Sequence, residues 1–352
     1  MNQEKIGILT GGGDCSGLNS AIKSITQVAS IHKFKVIGIR DGWKGLSCCD
    51  AIYKILNNKL VDQIDYFGGT ILGTSRTNPY VVTDGIKNLL INWKKLNLSA
   101  LVVIGGEDTL GIASRLFNEH RLPIIGIPKT IDFDVPDTEY SLGFESSLNV
   151  ITSSIDNIKS TAESHSRVFI VEVMGRNAGY LALFAGMSTG AQIVLIPEVD
   201  FEINRISNIL IKRKKEGYRH SIVIVAESAK AKGNLENLLT SEMDQFGHVR
   251  FGGIGNWLAG ALARESSLEC RSIVLGHLQR GGTPTAYDRR MGFMFGSASI
   301  QAIRNKSFGS FISLFNGEIV LKPLSKLQDS SVYLNLSKYY NSELYCPKYV
   351  YN

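Results

Sequence analysis

Short, largely apolar runs rich in β-branched residues recur along the chain at 5–9, 35–39, 100–104 and 123–127. Such runs suit strands buried on both faces of a parallel sheet. Helical periodicity follows most of them, over 18–31, 84–95 and 109–118. A second set continues the alternation, with a long helix near 142–161, strands at 168–173, 192–196 and 221–226, and helices over 178–187 and 203–217 between them. Repeated strand and helix predict an α/β protein with helices on both faces of largely parallel sheets. Pro136 and Gly143 flank a polar stretch that continues neither kind of element, so the boundary between the two sets is placed there. A strand at 271–275 and a helix over 285–304 come late enough to return to the first set.

Composition sharpens this picture in a few places. Glycine fills 35 of 352 positions, and the excess falls at the ends of the apolar runs, as the punctuation of an α/β chain should. A hydrophobic fraction of 44% beside 20% charged residues supplies a core and a solvated surface together, which argues against a disordered chain. Lys and Arg number 38 against 32 Asp and Glu, and the resulting net charge of +6 tilts weakly toward phosphorylated small molecules over nucleic acid. The five cysteines form no CxxC pair and have no accompanying His ladder, so neither a disulfide framework nor a zinc site is expected. No window approaches the roughly 20 apolar residues of a membrane span, and the first residues lack a signal-peptide core; a cytoplasmic location is expected. The basic run at 212–215 reads as a solvated helix face. The polar tail carries Tyr333, Tyr339, Tyr340, Tyr345, Tyr349 and Tyr351 and reads as a packed arm or subunit contact.

Three strand-end loops carry candidate chemistry. Gly11, Gly12, Gly13 and Asp14 follow the first strand, and Ser16 and Gly17 open the next helix. Without side chains, backbone N–H groups there can approach an anion, and a helix N-terminus adds a favourable field. The run is neither a P-loop nor a good dinucleotide fingerprint. A similar turn recurs at Gly105 and Gly106, where the adjacent carboxylates of Glu107 and Asp108 suit a hydrated Mg²⁺; the bland alternative is helix capping. In the third loop Asp132 and Asp134 are two residues apart, so both can face one way in an extended segment, with Lys129 three residues earlier. A carboxylate can take a hydroxyl proton while a lysine steadies charge on a transferring phosphoryl group. Arg76, Arg167, Arg176, Arg271 and Arg280 are candidates to hold a phosphate monoester, and His277 is a possible neutral donor.

The ordered motifs LTGGGDCSGLN, GGTILGTSR, GGEDT, PKTIDFD, VEVMGRNAGY, VAE and LGHLQRGGTPTAYDR, spread over 5–290, resemble those of the phosphofructokinases. The resemblance implies two Rossmann-like three-layer lobes with the active site in the cleft between them. It implies a donor-phosphate and magnesium lobe of 1–140 plus about 279–327, and a sugar-phosphate lobe of 141–278 plus about 328–352. Carried over by motif, Asp132 resembles the base that activates the 1-hydroxyl of fructose 6-phosphate, with Thr130 and Asp134 assisting. Arg167, Arg271, His277 and Arg280 resemble the 6-phosphate cradle, the first two from a neighbouring subunit, which implies a homodimer or homotetramer. Met174, Gly175, Arg176 and Glu227 resemble sugar-binding positions; Gly12, Arg76 and Glu107 resemble the donor and Mg²⁺ site. No nicotinamide, flavin, haem, nucleic acid or membrane is implied.

Asp108 and Lys129 stand where the ATP-using branch typically has glycines, and resemble the pyrophosphate-using branch. The expected reaction is therefore reversible transfer from pyrophosphate to fructose 6-phosphate. An ATP-dependent enzyme and a weakly catalytic structural or regulatory paralogue are the alternatives. The second draws on one departure from the family pattern: Phe133 occupies the position where the family usually has Asn.

Overall fold

The computed structural model describes residues 3–233, 252–327 and 332–341. Tyr345, Tyr349, Tyr351 and Cys346 lie outside the described residues. The described chain divides into two compact units, 3–146 with 280–327 and 147–233 with 252–279 and 332–341.

The first unit carries strands β1 (Lys5–Thr10), β2 (Lys35–Ile39), β3 (Tyr53–Leu56), β4 (Leu98–Gly105), β5 (Ile124–Pro128), β10 (Ser310–Phe315) and β11 (Glu318–Pro323). They form one sheet in the order β11-β10-β5-β4-β1-β2-β3. The inner pairings are parallel, whereas β3 and β11 join the two edges antiparallel. The sheet is thus largely parallel, as expected, and mixed only at its two rims. β10 and β11 form a hairpin closed by residues 316–317, a local connection that parallel pairing does not allow, whereas β3 returns antiparallel to β2 after the segment that carries α2. Around the sheet lie α1 (Leu18–Ile31), α2 (Trp43–Ser47), α3 (Asn58–Val61), α4 (Gly85–Leu96), α5 (Glu107–His120) and α10 (Ala286–Arg304). Gly292 and Gly296 let α10 press against α1: a Cβ on Gly296 would lie 2.8 Å from the Ala21 carbonyl oxygen. That close approach fixes the late helix in the first unit.

The second unit contains β6 (Val168–Val173), β7 (Ile193–Leu195), β8 (Ser221–Ala226) and β9 (Cys270–Val274), all parallel, in the order β7-β8-β6-β9. Its helices are α7 (Tyr180–Thr189), α8 (Ile203–Lys215), α9 (Ile254–Ser266) and the single turn α11 (Leu336–Tyr339), while α6 (Phe144–His165) carries the chain from the first unit into the second. β6 and β8 are buried along their whole length, as continuous apolar runs require, and β9 is a partly exposed edge. No helix among the described residues is long and apolar enough to cross a membrane.

Candidate active site

In the first sheet β1 lies between β4 and β2, so the chain reverses its direction of winding beside β1. Ligands of open α/β sheets bind outside the carboxyl ends of the strands at such a point. The loops after β1, β4 and β5 carry most of the candidate residues of this unit, and Arg76 and Arg280 come from other segments.

The loop after β1 is built for close approach. Gly12 has φ +79°, and a Cβ on Gly13 would sit 2.5 Å from Nη1 of Arg280. That guanidinium donates to the Asp14 carbonyl at 3.0 Å. Arg280 therefore lies on the glycine loop in this structure. Lys129, at the end of β5, reaches the same loop: its Nζ donates to the Gly13 carbonyl and lies 3.4 Å from where a Gly12 Cβ would be. Burial, with Arg280 nearby, draws the Lys129 ammonium below the ordinary lysine range, against the opposing pull of Cys15, Asp132 and Asp134. Neither α1 nor α5 has a side-chain hydrogen bond from its N-cap residue, which in both helices is a glycine. Glu107 and Asp108 occupy the first turn of α5, where negative charge complements the helix dipole. Arg76 is exposed on the loop before α4.

After Lys129 the chain folds back on itself. Asp132 donates its backbone N–H to Oγ1 of Thr130 at 3.1 Å, and Ser141 donates to the Thr130 carbonyl at 2.9 Å. Asp132 is buried, and its Oδ1 has no hydrogen-bond partner in the protein. A buried carboxylate oxygen without a partner can accept a proton or a hydrogen bond from a bound hydroxyl. Phe133 sits at φ +62°, and its ring tilts against Phe144 with centroids 4.6 Å apart. The left-handed region suits Asn and Gly and costs other L-residues roughly 1–2 kcal/mol. The Phe133–Phe144 contact offsets part of that cost, and this is how the kink between Asp132 and Asp134 forms without the usual amide.

One residue the sequence reading passed over organises this region. Asp288, at the start of α10, is fully buried and accepts from Tyr140 Oη at 2.7 Å, Gly143 N at 2.7 Å, Ser146 N at 2.8 Å and Ser146 Oγ at 2.6 Å. It caps the N-terminus of α6 from a distant part of the chain. Burial pushes its carboxyl up while these donors pull it back down. Its only sequence signal was a place inside the last motif.

In the second unit the candidates gather at opposite ends of β6. At the carboxyl end, Arg176 N–H donates to Oε1 of Glu227 at 3.1 Å, and Ser228 donates to the Arg176 carbonyl. Gly175 has φ +147°. Met174 N–H donates to Gln279 Oε1 at 3.2 Å, which ties in the 276–279 turn carrying the exposed His277. Gln279 is almost wholly buried and was not anticipated from the sequence. Arg167 and Arg271 meet at the amino end, where Nε of one and Nη2 of the other each lie 2.8 Å from Oε1 of Glu269. The six residues of β6 separate Arg167 from Met174, roughly 20 Å of extended chain.

Among the described residues no three His, Cys, Asp or Glu side chains gather as a cation cage. Mg²⁺ in phosphoryl-transfer sites takes one or two carboxylates and completes its shell with water and substrate oxygens. Glu107 and Asp108 on the α5 turn are hard oxygen donors of the kind such an ion takes.

Comparison with known proteins follows the same lines. A pyrophosphate–fructose 6-phosphate 1-phosphotransferase of Dictyoglomus thermophilum is 40% identical over 348 residues, covering 97% of this chain and 100% of its own length. An ATP-dependent 6-phosphofructokinase 3 of Streptomyces coelicolor is 43% identical over 327 residues, covering 93% and 95%. The phosphofructokinase structure from Saccharomyces cerevisiae matches with a TM-score of 0.79 at 30% identity over 92% of this chain, which spans 44% of that larger chain. A pyrophosphate-dependent phosphofructokinase from Marinobacter aquaeolei shares the fold, with a TM-score of 0.80 at 20% identity over 95% and 86% of the two chains. The phosphofructokinase family model matches residues 5–303, and the chain belongs to that family.

Proposed function

We propose that the protein transfers one phosphoryl group from pyrophosphate to the 1-hydroxyl of fructose 6-phosphate, giving fructose 1,6-bisphosphate and phosphate. The observation that carries the donor choice is Lys129, a buried ammonium laid against the glycine loop after β1. There it can neutralise a compact diphosphate without any nucleoside contact. Asp108, in the first turn of α5, adds charge that opposes the longer phosphate chain of ATP.

In this reading the first unit is the donor lobe and the second the sugar-phosphate lobe, each Rossmann-like. Asp132 accepts the 1-hydroxyl proton, with Thr130 and Asp134 fixing its loop. The sugar oxygen then bonds to the incoming phosphorus as the bridging P–O bond of pyrophosphate breaks, and phosphate leaves. Gly12, Arg76 and Lys129 hold the donor, and Arg280 reinforces the glycine loop. Met174, Gly175, Arg176, Glu227 and His277 hold the sugar. Glu107, with Asp108, would hold Mg²⁺, which when bound neutralises charge on the donor oxygens. Positioning and charge neutralisation carry most of the rate.

A donor panel tests the assignment. Purified protein should turn over fructose 6-phosphate with pyrophosphate in preference to ATP, and glycine at both 108 and 129 should raise relative use of ATP. A wild-type preference for ATP, as in the Streptomyces coelicolor relative's name, would assign the other branch. Turnover with no donor would favour the structural paralogue.

Lys129 also sets a pH dependence. If the ammonium is the working form, activity falls as pH rises through its lowered pKa, before an ordinary lysine at 10.5 would titrate. Arginine at 129 stays charged throughout and should move that fall to higher pH. A pH–rate profile unchanged in K129R would remove Lys129 from the charge-stabilising role.

The separation of Arg167 and Arg271 from Met174 along β6 supports a second copy as the source of the phosphate cradle. A single hexose phosphate cannot touch both ends of that strand. A light-scattering mass of one chain under assay conditions, with full activity, would refute a shared site.

A further inference from the structure

We propose that the C-terminal arm, residues 332–341, is a strap that positions the 174–179 loop for the sugar phosphate, with Glu198 as the positioning residue. The proposal rests on the function proposed above for that loop.

Four observations converge on the junction between the loop and α7. Oε1 of Glu198 accepts from Gly179 N–H at 3.0 Å, at the end of the loop, and from Leu334 N–H at 3.0 Å, in the arm. One carboxylate oxygen thus joins the two segments, and its Oε2 is enclosed without a hydrogen-bond partner. Tyr180, the first residue of α7, donates its hydroxyl to the Tyr333 carbonyl at 3.4 Å. Burial first, then Tyr339 and Glu198, pushes that phenol up to about 12, so it stays a donor at any working pH. Tyr180, Phe184 and Tyr339 form an edge-on ring cluster with centroids 5.6 to 6.1 Å apart.

A merely structural arm would be expected to bury core residues along its length. This one does not: its helical turn α11 has no buried residue, and Leu334 is the arm's one deeply buried side chain among those described. Its contacts through Tyr333, Leu334 and Tyr339 fall where the loop meets α7. The remainder of the loop is held by Gln279 through Met174 N–H and by Glu227 through Arg176 N–H. Glu227 is assigned to substrate, so the Glu198 clasp, like the bonds from Gln279 and Ser228, stays in place whether or not substrate draws on that carboxylate, and it alone of these also holds the arm.

The test combines kinetics with amide hydrogen exchange on the full chain. E198A and Y339A should raise KM for fructose 6-phosphate about tenfold, as expected for losing one or two hydrogen bonds to a charged acceptor or a ring anchor, with kcat and the KM for pyrophosphate within about twofold. E198Q keeps an acceptor oxygen and Y339F keeps the ring, so both should return toward wild type. Amides of 175–179 should exchange about tenfold faster in E198A and Y339A, with melting temperatures confirming the fold. Unchanged exchange in both variants, or equal rises in the two KM values, would overturn the strap. A wild type that phosphorylates no sugar would overturn the function proposed for the loop, while the exchange measurement would still decide whether the arm holds it.

Discussion

Asn in place of Asp132 is expected to leave the fold intact and lower turnover by at least about 10²-fold, the lower range of general-base contributions. The change is isosteric, and the backbone N–H that donates to Thr130 Oγ1 is untouched, so the kink of the 130–134 loop should persist. What disappears is the proton acceptor at Oδ1, the one oxygen of that carboxylate with no hydrogen-bond partner in the protein. Steady-state kinetics beside circular dichroism and a melting curve make the check. Turnover equal to wild type would remove Asp132 from the base role and leave the rest of the site standing.

The second large effect falls on stability. Asp288→Ala would strand four donors, the Tyr140 hydroxyl, two backbone N–H groups and the Ser146 hydroxyl, in a region without solvent access. Each unmet buried donor costs roughly 1–3 kcal/mol, so even partial relaxation leaves a loss of at least about 3 kcal/mol. Urea denaturation should show it as a lower midpoint with little change in slope. A midpoint within error of wild type would mean that the loop 140–146 finds other acceptors. Because the same loop leads from the 130–134 segment, proposed to hold the base, into α6, activity should fall with stability even though Asp288 has no part in the proposed reaction.

Much of this was legible in the sequence because parallel strands must be apolar on both faces. β1, β4, β5, β6 and β8 read as uninterrupted runs for that reason. The rim strands did not: β3 has one buried residue and β11 none, so the burial pattern that marks a strand is missing. In the site, spacing identified the three loops but not their internal bonding. Arg280 could be singled out as an anion holder, yet nothing in its motif told that it would lie on Gly13. Asp288, Gln279 and Glu198 act through hydrogen bonds to residues far away in the chain, and no local pattern encodes those partners.

Cys15 extends the consequence of the glycine loop in another direction. Its thiol is fully enclosed, donates to the Leu142 carbonyl at 3.4 Å, and is pushed up to about 12 by burial. Alkylating reagents attack the thiolate and need a path to it. This sulfur therefore reacts only when the segment between β1 and α1 parts from the backbone at 142–143 that packs on it, and the pace of its labelling is a chemical clock for that opening. Any diphosphate analogue that settles on the glycines should slow the clock, giving a readout of donor occupancy that requires no turnover.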